Sequence, residues 1–129
     1  MAVALPADVH DLLDSPEVAT LATIEPSGQP QLSVVWVKRD GDQVLVSTVR
    51  GRRKASNMER DQRATLLVHA KDNPYRYVEI RGTVSIVDDP GGSLIDELSY
   101  QYKGSGWTAD APGTERVIVR LTPAKVISH

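Results

Sequence analysis

The chain has 129 residues, a length that fits one domain able to bury roughly two-thirds of its unfolded surface. It is 40% apolar and 25% charged, with a formal net charge of −2 from 15 basic and 17 acidic residues, a balance that argues against a general nucleic-acid binder. No apolar run approaches the roughly 18 residues of a membrane span, and the lack of cysteine excludes disulfides, thiolate chemistry and a cysteine zinc site.

The first ten residues carry no basic n-region, so no signal peptide is read and the cytoplasm is the expected compartment. Pro6 to Asp14 predicts a short helix with Val9, Leu12 and Leu13 on one face. Glu17 to Ile24 predicts a strand ended by Pro26-Ser27-Gly28. Gln31 to Lys38 predicts a second, and Asp40-Gly41-Asp42 a hairpin into Gln43 to Thr48. In the second strand Leu32, Val34 and Trp36 share the face expected to enter the core. Gln31, Ser33, Val35 and Val37 share the other, where small polar groups among valines suit the edge and plane of a flat heterocycle, or simply a half-solvated strand.

Arg52 to Asp61 reads as a helix with Ala55 and Met58 inward, followed by strands over Ala64 to His69 and Tyr77 to Val87. Gly82 within the second of these predicts a bulge or a close backbone approach. Ser93 with Asp96 has the spacing of a capping pair for a helix that buries Leu94, Ile95, Leu98 and Tyr102, and Gly104-Ser105-Gly106 stops it. Arg116 to Leu121 is a last strand, continuing past Pro123 into Val126 and Ile127. Hairpin-linked strands without regular β-helix-β alternation indicate an antiparallel barrel or an α+β domain.

His10, His69 and His129 show no metal-binding spacing, so no metal site is expected. There is no GxSxG, no dinucleotide-type glycine loop and no GxxxxGK phosphate loop. What stands out is a basic cluster: six of the fifteen basic residues fall between Arg50 and Arg63, and Arg52, Arg53 and Lys54 occupy the predicted first turn of a helix. A helix N-terminus already carries positive charge, so cations are unfavourable there, whereas its free N–H groups suit a phosphate or carboxylate. Ser47 and Thr48 at the preceding strand end offer hydroxyls, and Asn57 one turn on offers an amide. The alternative is a solvated charged helix, partly neutralised by Glu59 and Asp61. With aromatics at 5% and no phenylalanine, stacking platforms for nucleic acid are scarce, and Tyr75, Tyr77, Tyr100, Tyr102 and Trp107 are candidates for a pocket wall.

Several segments taken in order carry a family resemblance. Val18-Ala19-Thr20-Leu21-Ala22-Thr23-Ile24 with Gly28-x-Pro30 forms the opening, and Val46-Ser47-Thr48 is followed by Gly51-Arg52-Arg53-Lys54-x-x-Asn57-Met58 and Asp61-x-Arg63-Ala64. Tyr77 to Val84 and Arg116 to Pro123 extend it, so that it spans Glu17 to Ile127. Together they resemble the flavin and deazaflavin oxidoreductases of the pyridoxamine-phosphate-oxidase-like split β-barrel superfamily. The resemblance implies a single mainly β (α+β) domain, a six- to seven-stranded antiparallel split β-barrel with short flanking helices. It implies a homodimer with cofactor sites at the subunit interface. Arg53 and Lys54, with Arg52, would hold the cofactor phosphate; Ser47 and Thr48 would contact it; the strand bearing Ser33 would run beside the ring system; and Tyr77 would reach in from the second subunit.

The sequence ends at His129 without the C-terminal segment with which vitamin B6 oxidases bind their substrate, so oxidation of pyridoxamine phosphate is not expected. The run Gly-Arg-Arg-Lys-x-x-Asn is similar to the branch that uses the deazaflavin coenzyme F420, whose tail carries a phosphate and several carboxylates. Arg50, Arg52, Arg53 and Lys54 are more cations than the one phosphate of FMN needs. The implied activity is hydride transfer from reduced F420 to an electron-poor small-molecule acceptor of quinone, unsaturated-lactone or tetrapyrrole type, with no evident proton donor in the chain. The alternatives are an FMN-binding oxidoreductase of the same fold and a non-catalytic protein that sequesters a cofactor or haem.

Overall fold

A computed structural model describes residues 2–129. After a single 3-10 turn (Ala7–Val9) come helix α1 (His10–Asp14) and strands β1 (Ala19–Ile24), β2 (Pro30–Val35), β3 (Lys38–Asp40) and β4 (Gln43–Val49). Helix α2 (Arg53–Arg60), strands β5 (Arg63–Ala70) and β6 (Asn73–Asp88), helix α3 (Ser93–Lys103) and strand β7 (Arg116–Ser128) complete the chain. All seven strands form one antiparallel sheet in the order β2-β1-β5-β6-β7-β4-β3.

That order has a geometric consequence. The two edge strands, β2 and β3, are consecutive in the chain and joined only by Trp36 and Val37. Two linking residues reach at most about 10 Å, so the sheet must curl until its edges meet. The edges do not pair with each other, and the barrel is split along that seam. Alternation along the strands fills its interior: Ala19 and Leu21 from β1, Leu66 and Val68 from β5, Val78 and Ile80 from β6, and Val119 and Leu121 from β7. Leu12 and Leu13 of α1 and Met58 of α2 belong to the same core.

The single strand expected over Gln31 to Lys38 is therefore two, broken at Trp36 and Val37. Nothing in its composition marks the break, because the backbone there is satisfied by a distant side chain: Val37 N–H donates to the Tyr102 hydroxyl at 3.0 Å, which donates to Glu17 O at 2.9 Å. The core face is also the reverse of the one expected. Leu32 and Val34 are 63% and 68% exposed, whereas Val35 and Val37 are buried on the face that includes Gln31 and Ser33. Polar groups are tolerated on that face because each finds a partner, Thr23 Oγ1 donating to Gln31 Oε1 at 2.7 Å and Lys54 Nζ to Ser33 Oγ at 3.3 Å. Trp36 packs instead in a second cluster with Leu45, Leu94, Leu98 and Tyr102. This cluster seats α3 on the outside of β4, so β4 is covered on both faces.

At Gly82 the β6–β7 register shifts, and a Cβ there would lie 2.0 Å from Thr122 O, so the expected close approach is present. The expected capping pair is not. Asp89 caps α3, accepting from Ser93 N–H at 3.1 Å, Ser93 Oγ at 2.9 Å and Leu94 N–H at 2.9 Å, while Asp96 accepts from Trp107 N–H at 2.9 Å. Gly104 ends α3 at φ +79°, a conformation that favours glycine. Among the described residues no helix is long and apolar enough to cross a membrane.

A candidate anion-binding site

The end of β4 and the start of α2 build one wall of the site. Arg52 stands at the N-cap of α2, its side chain supplies no capping oxygen, and the first turn contains no acidic residue. The N–H groups there thus keep their positive end uncompensated while Arg53 and Lys54 add charge to it. Neutralisation by Glu59 and Asp61 bypasses this turn: Glu59 pairs with Arg50 at 3.1 Å and Asp61 with Arg63 at 2.8 Å. Arg53 reaches the other way, 71% exposed, to Glu25 at 3.0 Å. Among the described residues, Lys54 makes no ion pair; its ammonium touches the Ser33 hydroxyl. Burial, then the charges of Arg52 and Arg116, push its proton affinity below that of an ordinary lysine.

The opposite wall comes from β7, α3 and the segment between them. Arg116 opens β7 across the register from Val49 and is 4% exposed. Its guanidinium donates to both Asp110 oxygens, Nε to Oδ2 and Nη2 to Oδ1, each at 2.8 Å, and Nη1 lies 3.5 Å from Ser47 Oγ. These bonds, chiefly, hold the Asp110 carboxyl down at about 2, and the Trp107 indole N–H adds another at 2.8 Å. Trp36 is stacked on Tyr102 with centroids 5.2 Å apart, Trp107 meets Trp36 edge-on at 5.9 Å, and the Arg116 guanidinium lies 5.3 Å from the Trp107 ring.

These walls enclose an open cavity of about 220 Å³, lined by Ser47, Arg52, Lys54 and Arg116 on its polar side and by Val34, Trp36, Leu98 and Trp107 on its apolar side. Three cations thus face one space, against a single carboxylate, Asp110, bonded to one of them. The arrangement can bind an oxyanion and lay a planar group against indole. It offers no acid–base pair: the charged side chains lining the cavity are all cations, and among the described residues no group of three or more metal-ligating side chains occurs.

Of the residues singled out from sequence, Ser47, Arg52 and Lys54 meet at this cavity, with Ser33 behind Lys54. Gln31 and Arg53 lie together at the β1–β2 turn. Thr48 alternates away from Ser47 and is fully buried, with no hydrogen-bond partner for its hydroxyl. Asn57 is also buried; its amide donates to Thr23 Oγ1 at 3.1 Å and accepts from Arg60 at 3.2 Å, so it locks α2 to β1 and does not face the cavity. Tyr77 lies on the outer face of the sheet, beside Leu32, Leu67 and His69. Arg116 is the residue that sequence reading passed over. In a strand reading Arg-Val-Ile-Val-Arg-Leu an arginine looks like the solvent-facing half of the alternation, and only the cover of α3 and the segment 104–115 makes it interior.

Comparison with known proteins agrees with this architecture. The family model described as pyridoxamine 5'-phosphate oxidase matches residues 5–129. A solved structure named F420 reductase is 32% identical with a TM-score of 0.86, covering 97% of this chain and all of its own. A conserved hypothetical protein of Mycobacterium tuberculosis is 29% identical with a TM-score of 0.76, over 97% of this chain and 84% of that one. General stress protein 26 of Bacillus anthracis, 18% identical with a TM-score of 0.69 over 92% of this chain and 88% of its own, shares the fold. With all but its first four residues matched by the family model and the split seven-stranded sheet in place, the chain belongs to the pyridoxamine 5'-phosphate oxidase family.

Proposed function

We propose that this protein is an F420-dependent reductase that passes a hydride to an electron-poor small-molecule acceptor of quinone, unsaturated-lactone or tetrapyrrole type. The observation that carries this reading is the cation excess of the cavity: Arg52, Lys54 and Arg116 surround one space, and among the described residues Lys54 has only a hydroxyl for a partner. An oxyanion there would relieve both the crowding of cations and the uncapped first turn of α2. The anionic tail of F420 fits this donor set, and the structure named F420 reductase supports the choice of cofactor. When bound, the reduced deazaflavin would supply the hydride; this chain's residues bind, orient and exclude water. In this reading Arg52 and Lys54 hold the phosphate with help from the Ser47 hydroxyl, and exposed Arg53 would exchange its Glu25 partner for a tail carboxylate.

The reading includes a homodimer. A cavity of about 220 Å³ is smaller than the roughly 300–1,000 Å³ of typical ligand pockets, which supports a reading in which a second copy closes over the rest of the cofactor. The surface for it adjoins the cavity. Val34 lines the cavity, and on the same face of β2 the exposed Leu32 continues into an apolar patch with Ala22, Leu67 and Tyr77. Tyr77 then lies where it can meet a second copy.

The test is a parallel fluorescence-polarisation titration with F420 and FMN at physiological salt. F420 should bind more tightly, and Arg52→Ala with Lys54→Ala should weaken it at least about tenfold without loss of fold. Preference for FMN would move the protein to the flavin branch. Tight binding without turnover over a broad acceptor panel would make it a sequestering module, and binding of neither cofactor would overturn the reading.

A further inference from the structure

The Asp110–Arg116 pair has a feature that a purely structural ion pair lacks: the acid and the base come from parts of the chain with different degrees of restraint. Arg116 is fixed in β7, paired on both sides by β6 and β4. Asp110 sits in the segment 104–115, which contains neither helix nor strand. Trp107 of that segment is tied separately, its N–H donating to Asp96 Oδ1 at 2.9 Å, so the segment does not depend on Asp110 alone to stay in place. Asp110 also has somewhere to go. Arg116 and Trp107 form the wall between the cation-lined cavity and a second, more polar one of about 360 Å³, lined by Ser93, Thr108 and Thr114 as well as by Asp110 itself.

We infer that Arg116 is an anion-binding residue of this cavity and that Asp110 is its internal competitor, vacating the guanidinium when a ligand brings a two-oxygen oxyanion, phosphate or carboxylate. The inference rests on reading the cavity as an anion site, and it names a further ligand residue there. The chemistry is an exchange of equivalents. A planar guanidinium offers the same fork to an aspartate, a phosphate or a ligand carboxylate, so the cost of breaking one bidentate pair is recovered in making another. The bias toward the ligand comes from Lys54: an oxyanion inside the cavity faces that ammonium as well as Arg52 and Arg116, while Asp110, which shares the charges of Arg52 and Arg116, lines the adjoining cavity. The Asp110 carboxyl, held low by Arg116, is ionised throughout the neutral range, so the competition is one of charge against charge at any working pH.

The experiment uses inorganic pyrophosphate and succinate as phosphoryl and carboxylate probes on the full chain, read by thermal shift, with F420 polarisation in parallel. Asp110→Asn should bind one or both probes at least fivefold more tightly than wild type, and the better probe identifies the oxyanion class. Arg116→Gln should weaken binding, and the gain from Asp110→Asn should vanish in the double variant, because a competitor acts only through the group it occupies. Unchanged or weaker binding by a folded Asp110→Asn protein would overturn the inference, as would a gain that survives Arg116→Gln. Wild type supplies an independent readout that needs no variant to fold. The chain has two tryptophans, hence two indole N–H resonances, and saturating pyrophosphate should shift that of Trp107 as its Asp110 acceptor leaves. An unmoved resonance would refute the exchange. Failure of F420 to bind, with the pyrophosphate gain intact, would sink the cofactor reading alone; F420 binding indifferent to both substitutions would sink this inference alone.

Discussion

Lys54 shows how a binding residue is held at the expense of the empty protein. Burial and the charges of Arg52 and Arg116 lower its proton affinity on folding, so the unfolded chain holds the proton more tightly. Stability therefore rises with pH from the folded pKa up to about 10.5, and at neutral pH the charged ammonium is a net cost. Replacing it with methionine, of similar length and no charge, should raise the melting temperature of the ligand-free protein while weakening anion binding. A Lys54→Met protein that melts below wild type would refute the cost. At this scale much of the site was legible, because Arg52-Arg53-Lys54 stands at the end of a helix where cations are unfavourable whatever the tertiary fold. Arg116 was not, since its burial depends on how α3 and the segment 104–115 fold back over β7, which no local pattern shows. Asn57 was legible as important but not for its role: nothing local says that its amide turns inward to Thr23.

Elements are anchored by contacts that run against simple motif reading. The spacing of Ser93 and Asp96 matches a capping box, yet Gly92 takes the cap position and Asp89, three residues earlier, accepts three hydrogen bonds from Ser93 and Leu94. Asp89→Ala should then cost about 1–2 kcal/mol in a denaturant titration, and Ser93→Ala clearly less; equal losses would return the cap to Ser93. At the β6–β7 bulge the margin is steric. Gly82→Ala places a methyl 2.0 Å from Thr122 O, a clash that backbone must relieve, and should cost about 1–3 kcal/mol or abolish soluble expression. Wild-type stability in that variant would mean the strands are further apart than 2.0 Å implies. Glycine within a strand of β-branched residues is visible from sequence, whereas the break between β2 and β3 is not. Alternation runs unbroken through Trp36 and Val37, and the partner that ends the strand is the Tyr102 hydroxyl, 65 residues away.

For the molecule as a whole, the hydrophobic pattern was read correctly for strand content and wrongly for one face. Leu32 and Val34 looked like core because larger apolar residues are usually inward, but the sheet turns Val35 and Val37 inward and leaves the other two exposed. In the proposed dimer this exposed face would lie against the second copy. Leu32→Glu with Val34→Lys should give a folded monomer by sedimentation, with wild-type melting at low concentration and loss of cofactor binding. A dimer that survives both changes would place its interface elsewhere. The sheet order also sets a timetable for synthesis. β1, β2, β5 and β6 pair among themselves, but β4 finds its long partner only in β7, the last of these seven strands to leave the ribosome. Until residues 116–128 emerge, the β3–β4 hairpin has no further strand to pair with, and Ser47 on β4 has no Arg116 nearby. The anion cavity is thus assembled only when β7 joins the sheet, so a ligand there stabilises the sheet after β7 has paired and does not guide the strands before it.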